Sequence, residues 1–351
     1  MEEVMNVART SHADKTVTAP AYTGAPRGQP DTQMPPAITT DNSGADWVSA
    51  ADVAFPASCE TVRRQFDQRA RRFADAAVLV REVGRRLCER LDVIRADART
   101  VLDLGCGAGW QRHALLRRFA GSVWLGVDFS LGMLALQEGG APALARWLPA
   151  ALRPRARALR ICADAERLPF QAGSVDFVFS NLMLNWHPAP HRVLVEVARV
   201  LSEGGPLLFS AFGPDTLLEL REACAAALPQ SRPVPFVDLH DLGDMMTGAG
   251  FAEPVTDAER IRLTYASARQ LLADVRALGG NPRDDRLRTL PSGRQARNLL
   301  AELESRRGTD GRIGLTFEIT YGIGWKAPPR APAGAPTKIP IEALRSQLRR
   351  R

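Results

Sequence analysis

The sequence predicts an α/β fold, a doubly wound and mostly parallel sheet, and three stretches carry that prediction. VLDLGCGAG (Val101–Gly109) reads as a buried strand running into a glycine-rich turn. GSVWLGVDFS (Gly121–Ser130) is a second apolar run, closed by Asp128. VDFVFSNLMLNW (Val175–Trp186) is a third, ending at Asn181. Short continuous apolar runs bounded by turn signals suit strands buried on both faces.

The elements follow in order. Residues 1–55 are rich in Pro, Thr, Gly, Ala and Asp without an apolar period, and predict a disordered extension. A single domain is expected over 56–326. It opens with one amphipathic helix, from Val62, Phe66, Ala70 and Phe73 through Val80 and Val83 to Leu87. Arg63, Arg64, Arg71, Arg72, Arg85 and Arg86 decorate it as a solvated face, or, for Arg63, Arg64, Arg71 and Arg72 with Arg276 and Arg283 of the insertion, as a basic rim for an acidic carrier protein. Core strands are placed at Val101–Leu104, Val123–Asp128, Ala158–Cys162, Val175–Ser180 and Leu207–Phe212, with a loop at Ser202–Gly205. VDLHDLGDMMTGAGF (Val237–Phe251) is a helix closed by Gly250, followed by a strand from about Pro254 to Asp257. LTFEITYGIGW (Leu315–Trp325) is the last strand. Helical patterns at Ala268–Leu278 and Gln295–Arg306 form an insertion, about 266–312, large enough for a lid. Residues 327–351 form a Pro/Ala-rich basic tail.

The turn identifies a class of ligand. Gly105, Gly107 and Gly109 leave no room for side chains and let a ligand approach the backbone. A dinucleotide fingerprint would want its third glycine at position 110, where this chain has Trp110. Asp103, just before the turn, is a poor neighbour for a pyrophosphate. A ligand with a cationic head and no phosphate fits better, and S-adenosylmethionine (SAM) is such a ligand. Asp128, at the tip of the second strand, suits a bidentate bond to two ribose hydroxyls, although NAD would fit that spacing equally well. A third acid, Asp164, lies in ICADAERLPF (Ile161–Phe170).

This order of strands and acids resembles the class I SAM-dependent methyltransferases over Val101–Phe212. The resemblance implies a Rossmann-like seven-stranded methyltransferase sheet with an antiparallel last strand, here with the helical insertion between the last two strands. It implies that Gly105, Gly107 and Gly109 hold the methionine part and that Asp103 anchors its ammonium. Asp128 would bind ribose, Asp164 and the backbone at Ala165 would bind adenine, and the backbone near Asn181 and Leu182 would face the methionine end.

The flanks are more specific. FGPDTLLELR (Phe212–Arg221), VDLHDLGDMMTGAGF, RLTY (Arg262–Tyr265), LTFEITYGIGWK (Leu315–Lys326) and the helix Gln65–Leu87 resemble the BioC family of biotin synthesis. Its members are malonyl-[acyl-carrier protein] O-methyltransferases, which cap a free carboxylate as its methyl ester. The partner implied is an acyl-carrier protein bearing malonyl-phosphopantetheine, or malonyl-coenzyme A. The chain departs from the family with Phe73, where members often carry Tyr, and with Val80, where they often carry Gln. A mitochondrial complex I assembly factor associated with arginine hydroxylation shares the FGPDTL-ELR region and the YGIGWK-like end, so those motifs do not separate the two chemistries. A different small acid or a quinone-type ring carbon is a further acceptor to weigh. Ring methylation would want a base, and His187 is nearly alone as a candidate.

Carboxylate methylation asks little of the protein. The acceptor is already ionised at neutral pH, so no general base is needed. A cation to hold it is expected at Arg221, one helix past the fifth strand, or at Arg276 in the insertion. His187, just past the fourth strand, is placed beside the acceptor, and Trp186 there would pack on the adenine, on the acceptor or in the core. His187 and His191 have metal-like spacing, but Pro188 and Pro190 interrupt it, and no metal is expected. The five cysteines are scattered, without a C-x-x-C pair. The net charge of +7 is largely arginine, yet no nucleic-acid module is recognisable. No apolar run approaches a membrane span and no signal pattern opens the chain, so a cytoplasmic protein with neither nucleic-acid nor membrane partners is expected.

Overall fold

The computed structural model describes residues 57–137, 158–231, 233–283 and 292–328. The expected N-terminal extension and nearly all of the basic tail lie outside the described residues. The sheet has seven strands in the order β3-β2-β1-β4-β5-β7-β6. β1 (Thr100–Leu104) is central, between β2 (Val123–Asp128) and β4 (Phe177–Asn181). β3 (Ala158–Cys162) flanks β2, and β5 (Pro206–Phe212) flanks β4, all in parallel. β7 (Ile313–Lys326) runs antiparallel to both β5 and the edge strand β6 (Phe251–Tyr265). Chain order reverses between β1 and β4, and ligands of open α/β sheets sit beyond the strand tips at such a point.

Alternation along each strand divides the core into two layers. Val101, Phe177 and Phe179 pack with Leu79, Val83 and Leu87 of α2 (Val78–Glu89) and with Leu115 of α3 (Arg112–Arg118). Leu102, Leu104 and Val178 pack on the other face. Their partners are Val193, Leu194 and Val197 of α5 (Pro190–Val200), and Leu242, Met245 and Met246 of α7 (Leu239–Gly248). α7 closes as expected, with Gly250 left-handed at φ 92°.

Two expectations need correction. The single helix expected through Leu87 is two helices, α1 (Cys59–Ala76) and α2, broken at Ala77. Neither a proline nor a glycine marks the break. The cause is tertiary: α2 packs on β4 and β5, while α1 packs on α4 (Leu131–Ala135) and α8 (Ala268–Ala277), and one straight rod cannot reach both. The short strand expected at about 254–257 is a 15-residue strand, β6. Its partly buried positions alternate with exposed charged ones such as Asp257, Arg260 and Arg262, the pattern of an edge strand rather than of a fully buried one.

The length of β6 matters for the site. The last β5–β7 pair is Phe212 with Ile319, but β6–β7 pairing continues out to Tyr265 with Ile313. A two-stranded ribbon therefore projects past the C-terminal end of β5. α8 and α9 (Gly293–Glu304) lie between its strands in sequence, as the expected insertion, and α8 meets α1.

Candidate active site

A cleft with about 940 Å³ of empty volume lies over the C-terminal tips of β1, β2 and β4. One wall is backbone and acid: Gly105, Gly107, Asp128, Asp164, Ala165, Asn181 and Leu182. The other is largely aromatic and aliphatic: Phe66, Phe73, Trp110, Trp186, Phe212 and Leu278.

The first wall is built by the turn. Gly105, Gly107 and Gly109 have φ of 73°, 51° and 72°, values that L side chains rarely adopt. A Cβ on Gly105 would stand 2.3 Å from Met183 Cγ. The backbone N–H groups of Gly105 and Cys106 both donate to Val127 O, at 2.8 and 3.0 Å, tying the turn to β2. Asp128 closes it: Oδ2 accepts from Gly107 N at 2.9 Å and Oδ1 from Ser130 N at 2.8 Å. Burial pushes the Asp128 carboxyl up to about 6, against those two N–H bonds. Leu182 is left-handed at φ 51°, held by its N–H to Ser210 O at 3.0 Å, and Ser210 Oγ donates to Asn181 Oδ1 at 2.8 Å. A strained residue fixed in this way often marks a working site.

Asp103 and Gly109 do not line the cleft. Asp103 points away from it, 2 % exposed, and accepts from Trp124 Nε1 at 3.2 Å. Burial pushes its carboxyl up to about 7; the indole bond opposes this and Asp128 adds to it. Asp103 thus stands behind the turn, outside the cleft lining. Gly109 packs against Gln137, whose Nε2 donates to Gly107 O at 2.7 Å.

His187 stands beside Asp164. Its Nδ1 accepts from Ala189 N at 3.1 Å, which leaves the proton on Nε2. That nitrogen is 3.4 Å from Asp164 Oδ1 and 3.5 Å from Cys59 Sγ. Ligand atoms of Cys59, Asp164 and His187 lie within 4.8 Å of one another. Burial, followed by Asp164 and Glu166, pushes the Cys59 thiol up to about 11, so it is not a thiolate at neutral pH.

The second wall comes from distant segments. Phe66 meets both Phe73 and Trp186 edge-on at 5.4 Å between centroids, and Phe73 stacks on Trp110 at 6.1 Å. α1 is tied down at both ends of this cluster. Asp67 Oδ1 accepts from Ser130 Oγ at 2.6 Å and from Gly132 N at 2.9 Å. Arg69 Nη1 donates to Arg276 O at 3.0 Å and to Gly279 O at 3.3 Å. Gly279, at φ 128°, lies flat on Trp186; a Cβ there would be 2.4 Å from the ring.

The structure does not bring the two expected cations to the cleft. Arg221 is on α6 (Leu218–Ala227) as expected, but its Nη1 folds back onto Pro214 O. Left-handed Leu217 turns the chain before α6, and Glu219 fixes the helix by accepting from Thr316 N and Oγ1 at 2.8 and 2.6 Å. Arg276 is exposed, and only its carbonyl serves the α1 contact. His187 and Trp186 do line the cleft. Phe212, Met183, Gln111 and Leu278 were not anticipated as site residues. Trp110 was noticed only for breaking a glycine pattern, although a large aromatic inside a glycine turn was itself a signal.

Residues 102–209 match the family described as a methyltransferase domain. The chain is 39% identical over 296 residues to the malonyl-[acyl-carrier protein] O-methyltransferase of Halorhodospira halophila, covering 82% of this chain and 96% of that one. It is 40% identical over 278 residues to the enzyme of the same name from Laribacter hongkongensis, covering 78% and 91%. With that of Gallionella capsiferriformans it shares 38% identity over 272 residues, covering 77% and 92%.

Proposed function

The chain belongs to the malonyl-[acyl-carrier protein] O-methyltransferase family, and from that premise we propose that it methylates the free carboxylate of a malonyl group carried on an acyl-carrier protein. SAM is the methyl donor, and it supplies an activated methyl group on a sulfonium. One observation carries the reading at the level of geometry: an aromatic, water-poor wall faces a glycine turn and an acid across a single cleft. The turn fits the donor, because the positive-φ backbone of Gly105 and Gly107 forms the cleft wall itself, with no side chain between it and a ligand.

The chain's own residues then have defined tasks. Asp128 keeps a lone pair on each oxygen for the ribose hydroxyls, beyond its two backbone bonds. Asp164 and the backbone at Ala165 flank adenine. Gly105, Gly107, Asn181 and Leu182 receive the methionine part, with the Asp103 carboxylate behind the turn. Phe66, Phe73, Trp186 and Leu278 exclude water where the carboxylate oxygen attacks the methyl carbon. The new O–CH3 bond forms as the S–CH3 bond breaks, leaving a thioether, a neutral ester and no proton to move. Two opposite charges vanish, so a low-dielectric wall speeds the step. Alignment supplies the rest.

The carrier protein would approach over the exposed arginines of α1 and α8, among them Arg71, Arg72 and Arg276. Arg63 and Arg64 share Glu60 and offer less. The test is purified protein with methyl-labelled SAM and either malonyl-carrier protein or malonyl-coenzyme A, at low and high salt. A labelled methyl ester is expected, with turnover on the carrier protein falling more steeply with salt, since exposed charges are screened over ~10 Å at 0.1 M. Bound donor without any ester would overturn the reading.

A further inference from the structure

We propose that the side-chain amide of Gln111 holds the amino-acid end of the methyl donor. The inference rests on the donor reading above and adds a residue to it. Gln111 is 7 % exposed and lines the cleft two residues beyond the glycine turn. It is the N-cap of α3 but makes no capping bond. Residues at that place usually cap with a short polar side chain, and a broken local rule points to another duty. No hydrogen bond of its amide is present among the described residues. The neighbouring amide of Asn181 is committed, donating to Val80 O at 2.9 Å and accepting from Ser210 Oγ.

The packing keeps that amide in place. A Cβ on Gly84 of α2 would stand 2.0 Å from Gln111 Nε2 and 2.9 Å from Asn181 Nδ2. Glycine at position 84 leaves the room that the Gln111 amide occupies. A primary amide has an acceptor oxygen and two N–H donors on one rigid plane. An α-amino acid zwitterion presents the complement, an ammonium that donates and a carboxylate that accepts. A lone carboxylate or a lone ammonium would use only half of this amide.

The experiment compares two ligands that differ only at this end. S-adenosylhomocysteine carries the amino acid; 5′-methylthioadenosine keeps the adenosine and the thioether but lacks it. Calorimetry on the full chain would measure both for wild type, Gln111→Met, Gln111→Glu and Gly84→Ala. Hydrogen bonds to charged groups imply a loss of about 10- to 100-fold for S-adenosylhomocysteine in Gln111→Met. Affinity for 5′-methylthioadenosine should change by less than about twofold, on the same grounds. Gln111→Glu, which keeps the acceptor but repels the carboxylate, should also lose selectively. Gly84→Ala should reproduce the selective loss by displacing the amide. Equal losses for both ligands, or none for S-adenosylhomocysteine, would overturn the proposal while leaving the donor reading intact. Wild-type protein that binds neither ligand would overturn the donor reading and this proposal together.

Discussion

The two walls of the cleft are built in different ways. The glycine–acid wall is made of strand tips and the turns that follow them, and its contacts are backbone bonds at fixed register, as at Gly105, Gly107 and Leu182. The aromatic wall is made of side chains from α1, the segment after β4, the end of β5 and the end of α8. It is held by packing and by a few long-range bonds, such as those of Asp67 and Arg69. The first wall is rigid because the sheet is rigid. On the proposed reading, donor recognition falls to the wall of strand tips and turns, and acceptor handling to the wall that Phe66, Phe73, Trp186, Phe212 and Leu278 build.

The sharpest way to break this comparison is Asp128→Ala. It removes the proposed ribose partner and leaves the N–H groups of Gly107 and Ser130 without their acceptor. Donor affinity should fall by about 30- to 150-fold, from ~2–3 kcal/mol of charged hydrogen bonding. Stability should also fall, by less than two lost bonds would suggest, because burial of the carboxyl is relieved. Unchanged donor affinity by calorimetry would dissociate the turn from the donor. Gly279→Ala attacks the other wall. The backbone is left-handed there and the methyl would strike Trp186, so a loss of roughly 1–3 kcal/mol is expected on chemical unfolding. Turnover should drop while donor affinity moves little; a large donor effect would mean that the walls are not separable.

The smallest effect concerns Asp103, and its sign is worked out from burial. Its folded carboxyl titrates at about 7, above the ordinary value for an unfolded aspartate. Between those two values the folded state binds more protons than the unfolded state. Its contribution to stability is therefore complete at low pH and declines as pH rises to about 7. Asp103→Asn should flatten that part of the ligand-free stability profile relative to wild type. An ammonium in the cleft would draw the carboxyl back down across the turn, so donor binding should release a fraction of a proton near pH 6 to 7 in wild type and less in Asp103→Asn. Calorimetry in buffers of different ionisation enthalpy reads this directly. Equal proton release by both proteins would separate Asp103 from the ammonium.

The amino-acid sequence alone determined the sheet, the turn and the acid at each strand tip, because these are local. A buried strand needs a short apolar run, a tight turn needs glycine, and a ligand beyond the tips needs a polar residue at the end of that run. Asp128 was legible in this way, the roles of Asp164, Asn181 and Leu182 were implied by the resemblance to the methyltransferases, and all four line the cleft. The length of β6 was half-legible, in the alternation of ERIRLTY. The break at Ala77 was not legible, since only the different packing duties of α1 and α2 require it. Nor was the aromatic wall, because Phe66, Trp186 and Leu278 meet only once the chain has closed on itself. Arg221 shows the same limit from the other side: its place after β5 was readable, but the left-handed Leu217 and the Glu219 bond that turn it from the cleft were not. Chain neighbours set which backbone conformations are possible. Which side chains share a space is set by contacts across hundreds of residues, and those only tertiary structure decides.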